Sequence, residues 1–319
     1  MSLNNPDEPT LPAELAPYAA AIEAHLHQPA CWFVPLNKLA TSPAQSKIGG
    51  YPYLLLGAPN PLVDEEGEHR YNLLVQVNLA DLPAPRPLNF PAQGLLQFFA
   101  GDADAIMDDE PVPVHCVYYP TLDADAALVT DFSATPISGL EGYEKVPAEG
   151  VAVVFKSLTD NRVELGDYYA DLGHLFADVA DDDERADLQQ AFASYLEAYN
   201  EATPDNGSAW EEEIKAQYPV GDYGQPVFNA PFDYSSFTIP DHQLGGLLSQ
   251  FWQGDPRPPG DEDDLQPYYN QLLLAYDPRG NCTEYGMPFL GQDCKMLLYI
   301  NRDALAKADF SDLLYSWMP

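Results

Sequence analysis

Two adjacent glycines occur twice in this chain, and each pair is followed by the same order of apolar runs. The first pair ends the stretch "SKIGG" at residues 46–50, and the second ends "HQLGG" at residues 242–246. Two apolar runs then follow at similar spacing, beginning at Leu73 and Leu95 in the first half and at Leu272 and Met296 in the second. Three features in the same order predict an internal duplication of a β-rich unit.

The four glycines of these pairs are predicted to form structural turns: Gly49, Gly50, Gly245 and Gly246. Glycine adopts positive φ readily and, without a Cβ, lets another part of the chain approach its backbone. We therefore expect each pair to be a tight turn or a point of close contact between segments.

Hydrophobic periodicity predicts the elements around the repeated motif. Residues 72–78, 94–100 and 112–119 read as strands, because short apolar or alternating runs are bounded there by turn residues. A helix is predicted over residues 12–27, and a longer one after the carboxylates at 181–183, which suit a helix N-terminus. A further short helix is predicted from Ser208, with Glu211 completing a capping box.

Together these elements predict an α+β fold with two related β-rich halves from an internal duplication, flanking helices and a helical insertion between the halves. The predicted segments are an N-terminal helix at 1–30, a first β-rich repeat at 31–160, a helical segment at 161–218 and a second β-rich repeat at 219–319. A chain of 319 residues can bury a sizeable core, so we expect the halves to pack as one globular unit.

The residues that carry the duplication also carry a resemblance to a known family. "SKIGGYPYL", "LLVQVNLADLP" and "FPAQGLLQFF" are similar to the first half of the YwqG-like family, a bacterial domain of unknown function. "GQDCKMLLYINRDALAKADFSDLLYSW" is similar to that family's closing strand, Asp-rich turn and Asp-Phe-Ser ending. The resemblance covers roughly residues 12–319, although Leu247 and Leu248 replace the proline that usually follows the second glycine pair. It implies the same α+β fold with two related halves, and it implies no established activity.

Charge is the most extreme feature of the composition. Fourteen Lys and Arg stand against 50 Asp and Glu, which gives a net charge of −36 at pH 7. Such a field repels nucleic-acid phosphates and anionic membranes, and it speeds encounter with cationic partners. Alternatively, it is a solvated surface that maintains solubility. We expect no nucleic-acid or membrane partner, and the sequence leaves the oligomeric state open.

The N-terminus and the cysteines indicate a compartment. "MSLNNPDEPT" has neither the basic start nor the apolar stretch of a signal peptide. The four cysteines are scattered without a Cys-x-x-Cys pair or a disulfide framework. We therefore expect a reduced, cytoplasmic protein.

No known catalytic or cofactor-binding pattern is present. The sequence lacks the His-Glu-x-x-His and Cys-x-x-Cys patterns of metal sites, the calcium-loop spacing, the Gly-x-Ser-x-Gly turn and the Lys-Ser/Thr of a phosphate loop. The cysteines in "ACWF" and "VHCVY" have apolar neighbours, which favours core packing over nucleophilic chemistry. We expect no catalytic residues, no metal and no cofactor.

A modest set of polar residues remains where the two repeats are expected to meet: Ser46, Lys47, Gln76, Gln97, His242, Gln243 and Asp293. Gln76 and Gln97 interrupt otherwise apolar strands, and buried amides require hydrogen-bond partners. These residues either pin strands and loops together or line a cleft between the repeats.

Two functions from different classes follow. The first is a non-catalytic acidic protein that binds a basic protein partner, and neutralisation of a toxin fits this physics. The alternative is a small-molecule binder or an enzyme that uses the cleft between the repeats, since clefts at such boundaries commonly hold ligands.

Overall fold

The computed structural model describes residues 9–101, 114–123, 125–140, 142–158, 176, 179–202, 213, 242–246, 268–277, 288 and 295–318. Ten strands lie in these residues: β1 (Ala30–Leu39), β2 (Lys47–Ile48), β3 (Asn72–Asn78), β4 (Leu95–Ala100), β5 (Val114–Tyr119), β6 (Val151–Leu158), β7 (His242–Leu244), β8 (Gln271–Tyr276), β9 (Lys295–Ile300) and β10 (Leu313–Met318). Three α-helices accompany them: α1 (Ala19–Leu26), α2 (Asp182–Ala202) and α3 (Arg302–Ala306).

All ten strands belong to one antiparallel sheet. Its order from edge to edge is β10-β9-β8-β7-β1-β6-β2-β3-β4-β5. The edge strands β5 and β10 also contact each other, so the sheet is nearly closed. The fold is therefore β-rich with few helices among the described residues, which agrees with the predicted α+β class.

Two four-stranded arms extend from the central β1–β6 pair, and their registers match. We call β2–β5 the first arm and β7–β10 the second arm. In the first arm Lys47 lies opposite Gln76, and at the corresponding place in the second arm Gln243 lies opposite Ala275. The next ladder of each arm contains one irregularity, in β3 between Leu73 and Val75 and in β8 between Leu272 and Leu274.

The central strands connect to the arms crosswise. The strand β6, which follows the first arm in sequence, pairs with β2 through Ala152 and Lys47. The strand β1, which precedes the first arm, pairs instead with β7 of the second arm through Trp32 and Gln243. The strand β1, which comes first in the sequence, therefore has as one of its two neighbours a strand more than two hundred residues further along the chain.

The largest cluster of buried apolar side chains receives residues from every strand. Phe33 from β1, Phe98 from β4 and Leu298 from β9 are among its fully buried members. Both edge strands contribute as well, for example through Tyr118 of β5 and Tyr315 of β10. We call this cluster the interior core, and it lies inside the curved sheet.

A second core joins the helices. Leu15, Ile22 and Leu26 from the N-terminal segment pack against Phe192 and Leu196 of α2. The predicted helix over residues 12–27 is divided, because a 3-10 helix (Ala13–Tyr18) that contains Pro17 precedes α1. Proline has no N–H to donate within an α-helix, which accounts for the tighter first turns.

The start of α2 agrees with the prediction from the carboxylates. Asp181 Oδ1 accepts a hydrogen bond from the backbone N–H of Glu184 at 2.9 Å, which is N-cap geometry. Of the helix predicted from Ser208, the structure describes Glu213, which is helical, and the first two residues of the strand predicted at 112–119 lie outside the described residues. Within the described part of the chain, no helix combines the length and apolarity needed to cross a bilayer.

Candidate functional site

The two glycine turns are each covered by a proline from the opposite arm. Gly49 has a φ of 64°, and a Cβ placed there would lie 2.6 Å from Val146 Cγ1 and 3.4 Å from Pro288, beyond β8 in the second arm. Gly245 has a φ of 59°, and a Cβ there would lie 2.4 Å from the Cβ of Pro87, in the β3–β4 connection of the first arm. The turns therefore mark reciprocal contacts between the arms.

The second glycine of each turn approaches the start of a central strand. A Cβ on Gly50 would lie 2.4 Å from the backbone nitrogen of Gly150, just before β6. A Cβ on Gly246 would lie 2.5 Å from the Cβ of Ala30, the first residue of β1. Both positions have positive φ, and at both the backbone closely approaches a neighbouring segment.

Three of the predicted site residues form a row across the first arm. Lys47 of β2 lies opposite Gln76 of β3, and Gln76 lies opposite Gln97 of β4. We call these residues the polar row. Directly opposite residues of neighbouring strands lie on the same face of a sheet. All three side chains are buried.

The side-chain amide of Gln76 makes four hydrogen bonds, and three of them bind the backbone of two loops. Its Nε2 donates to the carbonyls of Pro43 at 2.7 Å and Gln45 at 2.8 Å. Its Oε1 accepts from the backbone N–H of Tyr53 at 3.0 Å and from Gln97 Nε2 at 2.8 Å. The side chain thus replaces the partners that the loop backbone would otherwise find in water.

Gln97 extends the same network. Its Nε2 donates to the carbonyl of Tyr53 at 2.9 Å as well as to Gln76. Its Oε1 has no hydrogen-bond partner among the residues that the structure describes. One buried acceptor is therefore left over in the polar row.

Lys47 is buried to an unusual degree for a lysine, with 2% of its surface exposed. Its Nζ donates to the carbonyl of Tyr51 at 2.6 Å. Burial lowers the pKa of the ammonium to about 8, against an opposing effect of the Glu149 carboxylate. The low value follows from the cost of holding a charge away from water.

Ser46 and His242 occupy matching positions next to the two glycine turns. Ser46 Oγ accepts from the backbone N–H of Asn78 at 2.9 Å and donates to Asp81 Oδ2 at 2.7 Å. His242 Nδ1 accepts from the backbone N–H of Asp277 at 3.1 Å. In both arms, the side chain three residues before the first glycine therefore binds a backbone N–H at the end of the second strand, that of Asn78 in β3 or that of Asp277 directly after β8.

His242 lies in an apolar slot. Its ring stacks between Phe33 at 5.2 Å and Tyr276 at 4.9 Å, measured between ring centroids. Burial lowers the pKa of the imidazole to about 4, with Asp277 opposing and Lys295 adding to the shift. Its Nε2 has no hydrogen-bond partner in the described part of the chain. The ring is therefore neutral at pH 7, with its proton on Nε2 because Nδ1 accepts.

Gln243 ties the second arm to β1. Its Oε1 accepts from Trp32 Nε1 at 3.1 Å, and its Nε2 donates to the carbonyl of Gly245 at 2.6 Å. Asp293, the remaining predicted site residue, lies outside the described residues. Ser46, Lys47, Gln76 and Gln97 thus come together in the first arm, while His242 and Gln243 stand at the corresponding edge of the second.

One buried ion pair was missed by the sequence analysis. Lys295 Nζ lies 3.8 Å from Asp277 Oδ2, and both side chains are at least 95% buried. A signal was available, since Lys295 is one of only 14 cations and begins the apolar run "KMLLYI". The sequence does not reveal its pairing, because the partner Asp277 follows a different strand, β8.

The chemistry available to these side chains is limited. Among the described residues, no three His, Cys, Asp or Glu side chains are grouped so that they could hold a metal ion. Burial raises the pKa of the Cys31 thiol to about 12 and raises that of Cys116 further, so both thiols are protonated at neutral pH. The described polar atoms mainly bind backbone of the same chain.

Comparison with known protein families places this chain in a family. A family model described as "Domain of unknown function (DUF1963)" matches residues 46–318, which is most of the chain. The chain therefore belongs to the DUF1963 family, a class whose description carries no activity. No curated protein matches the chain.

Proposed function

We propose that this DUF1963 protein is a YwqG-like, non-catalytic interaction protein whose acidic surface binds a basic protein partner in the cytoplasm. The observation that carries the proposal is the separation of charge between surface and interior. The chain has a net charge of −36, and Lys47 is buried against a backbone carbonyl, whereas Lys295 is buried together with Asp277. Burial therefore withdraws one more positive than negative charge from the surface of the described residues.

The helix α2 illustrates this surface. Its inner side packs Leu188, Phe192 and Leu196 into the helical core. Its exposed side carries six carboxylates, at Asp182, Asp183, Glu184, Asp187, Glu197 and Glu201. Arg185 is the only cation in the helix. A rigid element with a strong excess of negative charge favours fast, salt-sensitive association with a cationic protein.

The matching registers support an internal duplication as part of this proposal. Each arm repeats the same order of strands, the same irregular position and the same glycine turn. We place β1–β5 in one unit and β6–β10 in the other, so that each unit gives its first strand to the other arm; this proposal moves β6 from the first repeat predicted at 31–160 into the second unit. The helix α2 then belongs to an insertion between β6 and β7.

Neutralisation of a basic toxin is one form that this binding can take. Such a partner must be bound quickly and tightly, and electrostatic attraction raises the association rate. The proposal requires no reaction, which agrees with side chains whose polar atoms are directed at the protein's own backbone.

The cleft between the repeats remains the second candidate. It is favoured by two buried polar atoms, Gln97 Oε1 and His242 Nε2, which have no partner in the described residues. It is opposed by the burial of Lys47 and Gln76, whose hydrogen bonds are made to loop carbonyls. The acidic interaction protein is the better supported of the two.

The experiment is affinity capture from the native lysate with the full chain, followed by binding measurements at increasing salt. We expect a basic protein that is retained at low salt and eluted at high salt, with a Kd that rises as added salt screens the charges. A variant of α2 (Asp183→Asn, Glu184→Gln, Asp187→Asn) is compared with an equal charge change in an exposed loop (Glu65→Gln, Glu66→Gln, Glu68→Gln). Retention of no basic, salt-eluted protein would contradict the proposal.

A further inference from the structure

A pair of tyrosines stands at the end of the second arm where β8 begins. The rings of Tyr268 and Tyr269 are 4.8 Å apart between centroids and nearly perpendicular, with 84° between their planes. Tyr268 is 49% exposed, and in the described part of the chain no other Phe, Tyr or Trp side chain is exposed to this degree. Much of its ring is therefore available to a binding partner.

The two tyrosine hydroxyls bind the same carboxylate. Tyr268 donates to Asp312 Oδ2 at 3.0 Å, and Tyr269 donates to Asp312 Oδ1 at 2.6 Å. The hydrogen bond to Asp312 raises the pKa of Tyr268, and burial together with the bond to Asp312 raises the pKa of Tyr269 to about 12. Both phenols therefore keep their protons at pH 7 and act as donors. We call Tyr268, Tyr269 and Asp312 the tyrosine site.

The neighbouring elements hold the tyrosine site in place. Asn301, which follows β9 and caps α3, donates from Nδ2 to the carbonyl of Tyr268 at 2.9 Å. The backbone N–H of Arg302 donates to Asn270 Oδ1 at 3.0 Å. Asp312 directly precedes β10. The ring and the carboxylate are thus fixed by the ends of three strands, which lowers the entropic cost of binding a partner.

The tyrosine site has an excess of negative charge. Asp312 is exposed and forms no ion pair with any residue that the structure describes. Asp309 is also exposed and adds to the raised pKa of Tyr268. Hydrogen bonds from Ser311, with a smaller effect of Lys307, lower the pKa of Asp309, so this carboxylate is ionised at pH 7. Lys307 offsets one of the two charges.

This combination of groups suits a guanidinium. A carboxylate offers about four lone-pair positions, and the two tyrosines use two of them. The face of a tyrosine ring attracts a cation, and hydrogen bonding of its hydroxyl to a carboxylate makes the ring more electron-rich. A planar guanidinium can stack on the ring and direct its N–H groups to the carboxylate at the same time, whereas the compact ammonium of lysine cannot stack.

We propose that the tyrosine site receives an arginine side chain of the basic partner. The guanidinium stacks on the exposed part of the Tyr268 ring, and its N–H groups donate to the lone pairs of Asp312 that the tyrosines leave. This inference rests on the proposed function, and it names one anchor point on the surface and the side chain that occupies it.

The test uses the full chain and two labelled hexapeptides of equal charge, one of alternating arginine and glycine and one of alternating lysine and glycine. Binding is followed by fluorescence anisotropy at low salt. We expect the arginine peptide to bind at least about threefold more tightly than the lysine peptide, because only arginine can stack on Tyr268.

Four protein variants locate the site. Tyr268→Leu removes the ring, and we expect it to weaken the arginine peptide at least about fourfold and the lysine peptide less than about twofold. Tyr268→Phe keeps the ring and should weaken the arginine peptide less than Tyr268→Leu does. Asp312→Asn should weaken it at least about fourfold, whereas the matched charge change on α2, Asp183→Asn, should weaken it less than about twofold.

Equal affinity for the two peptides, or no binding of either, would overturn the preference for arginine. An arginine peptide that binds the Tyr268→Leu variant as tightly as the wild type, or equal weakening by Asp312→Asn and Asp183→Asn, would overturn the location. The proposed function is judged separately, by the salt dependence of the native partner, and it stands if that partner is basic and salt-sensitive while the tyrosine site proves not to be its anchor.

Discussion

The Nδ1 atom of His242 accepts a hydrogen bond of 3.1 Å from the backbone N–H of Asp277. In the first arm, Ser46 Oγ accepts at the corresponding place from the N–H of Asn78. Serine satisfies this backbone donor without a titrating group, whereas histidine does so only while Nδ1 is unprotonated. The second arm therefore depends on pH at a contact where the first arm does not.

Acid should destabilise the protein through His242. The folded pKa of about 4 lies below the unfolded value of about 6.5, so the unfolded chain binds more protons between these values. The contribution of His242 to the free energy of unfolding is fully present above about pH 6.5. It is lost as the pH falls towards about 4, and about 2 kcal/mol of it is lost by about pH 5. Urea unfolding at about pH 7 and pH 5 measures it.

The control is His242→Asn, which keeps an acceptor near the Asp277 N–H and removes the titration. Carboxylates affect both proteins equally, so the difference between their pH slopes isolates the histidine. Parallel slopes for wild type and variant would contradict the prediction.

Alkali should stabilise the protein through Lys47. Its folded pKa of about 8 lies below the unfolded value of about 10.4, so the folded state loses its proton first as the pH rises. The free energy of unfolding should rise by about 2 kcal/mol between about pH 7 and pH 10. Lys47→Met has no such group and should lack this part of the rise. An identical pH profile for the variant would show that Lys47 keeps its ordinary pKa.

Alanine should be tolerated at one exposed glycine and not at a glycine turn. Gly50 has positive φ, and an added Cβ meets the backbone of Gly150 at 2.4 Å. Gly57 also has positive φ, but an added Cβ meets nothing within 4 Å. We expect Gly57→Ala to cost about 1 kcal/mol and Gly50→Ala more than about 3 kcal/mol, measured by chemical denaturation. Equal costs would mean that the turn is free to move away from β6.

Removal of Gln97 should loosen the loop that contains Tyr53. Gln97→Leu reproduces Leu297, the residue at the corresponding position of the second arm, and leaves the carbonyl of Tyr53 and Gln76 Oε1 each without one donor. We expect a loss of about 1–3 kcal/mol and faster amide exchange in the loop. Leu96→Val, a small change within the same strand, serves as a packing control. Unchanged exchange would show that the polar row does not hold the loop.

Salt should raise the melting temperature at pH 7. With 50 acidic side chains against 14 cations, most carboxylates lack a partner, and their mutual repulsion opposes folding. Screening shortens the reach of this repulsion to about 10 Å at about 0.1 M ionic strength. Calorimetry from about 0.02 to about 1 M NaCl tests it, and a flat or falling series would contradict it.

Local patterns predicted the local structure well. The strands β3 and β4, the N-cap at Asp181 and the positive φ of the glycine turns follow from apolar runs, capping chemistry and the freedom of glycine. The polar row was also accessible, because Gln76 and Gln97 interrupt apolar strands and buried amides need partners.

Long-range pairing could not be predicted in the same way. When the two repeats are matched by the starts of their apolar runs, Leu95 corresponds to Met296. The strand pairings of the structure instead make Leu96 correspond to Met296, a shift of one residue. Apolar runs have no internal marker of register, so such a shift is invisible until a partner strand is seen. The pairing of β1 with β7 and of Lys295 with Asp277 was missed for the same reason.

The position of β1 has a consequence for synthesis of the chain. The strand β1 leaves the ribosome before either of its neighbours in the sheet. Its neighbour β6 is complete at Leu158, and its other neighbour, β7, is complete only at Leu244. At ~5–20 residues per second, the interval between the release of Leu158 and that of Leu244 is roughly 4–17 s. For that time one edge of the nascent central pair, which includes Trp32 and Phe33, is without the strand that covers it in the finished protein. A chaperone that shields extended apolar segments would act on this chain in that interval.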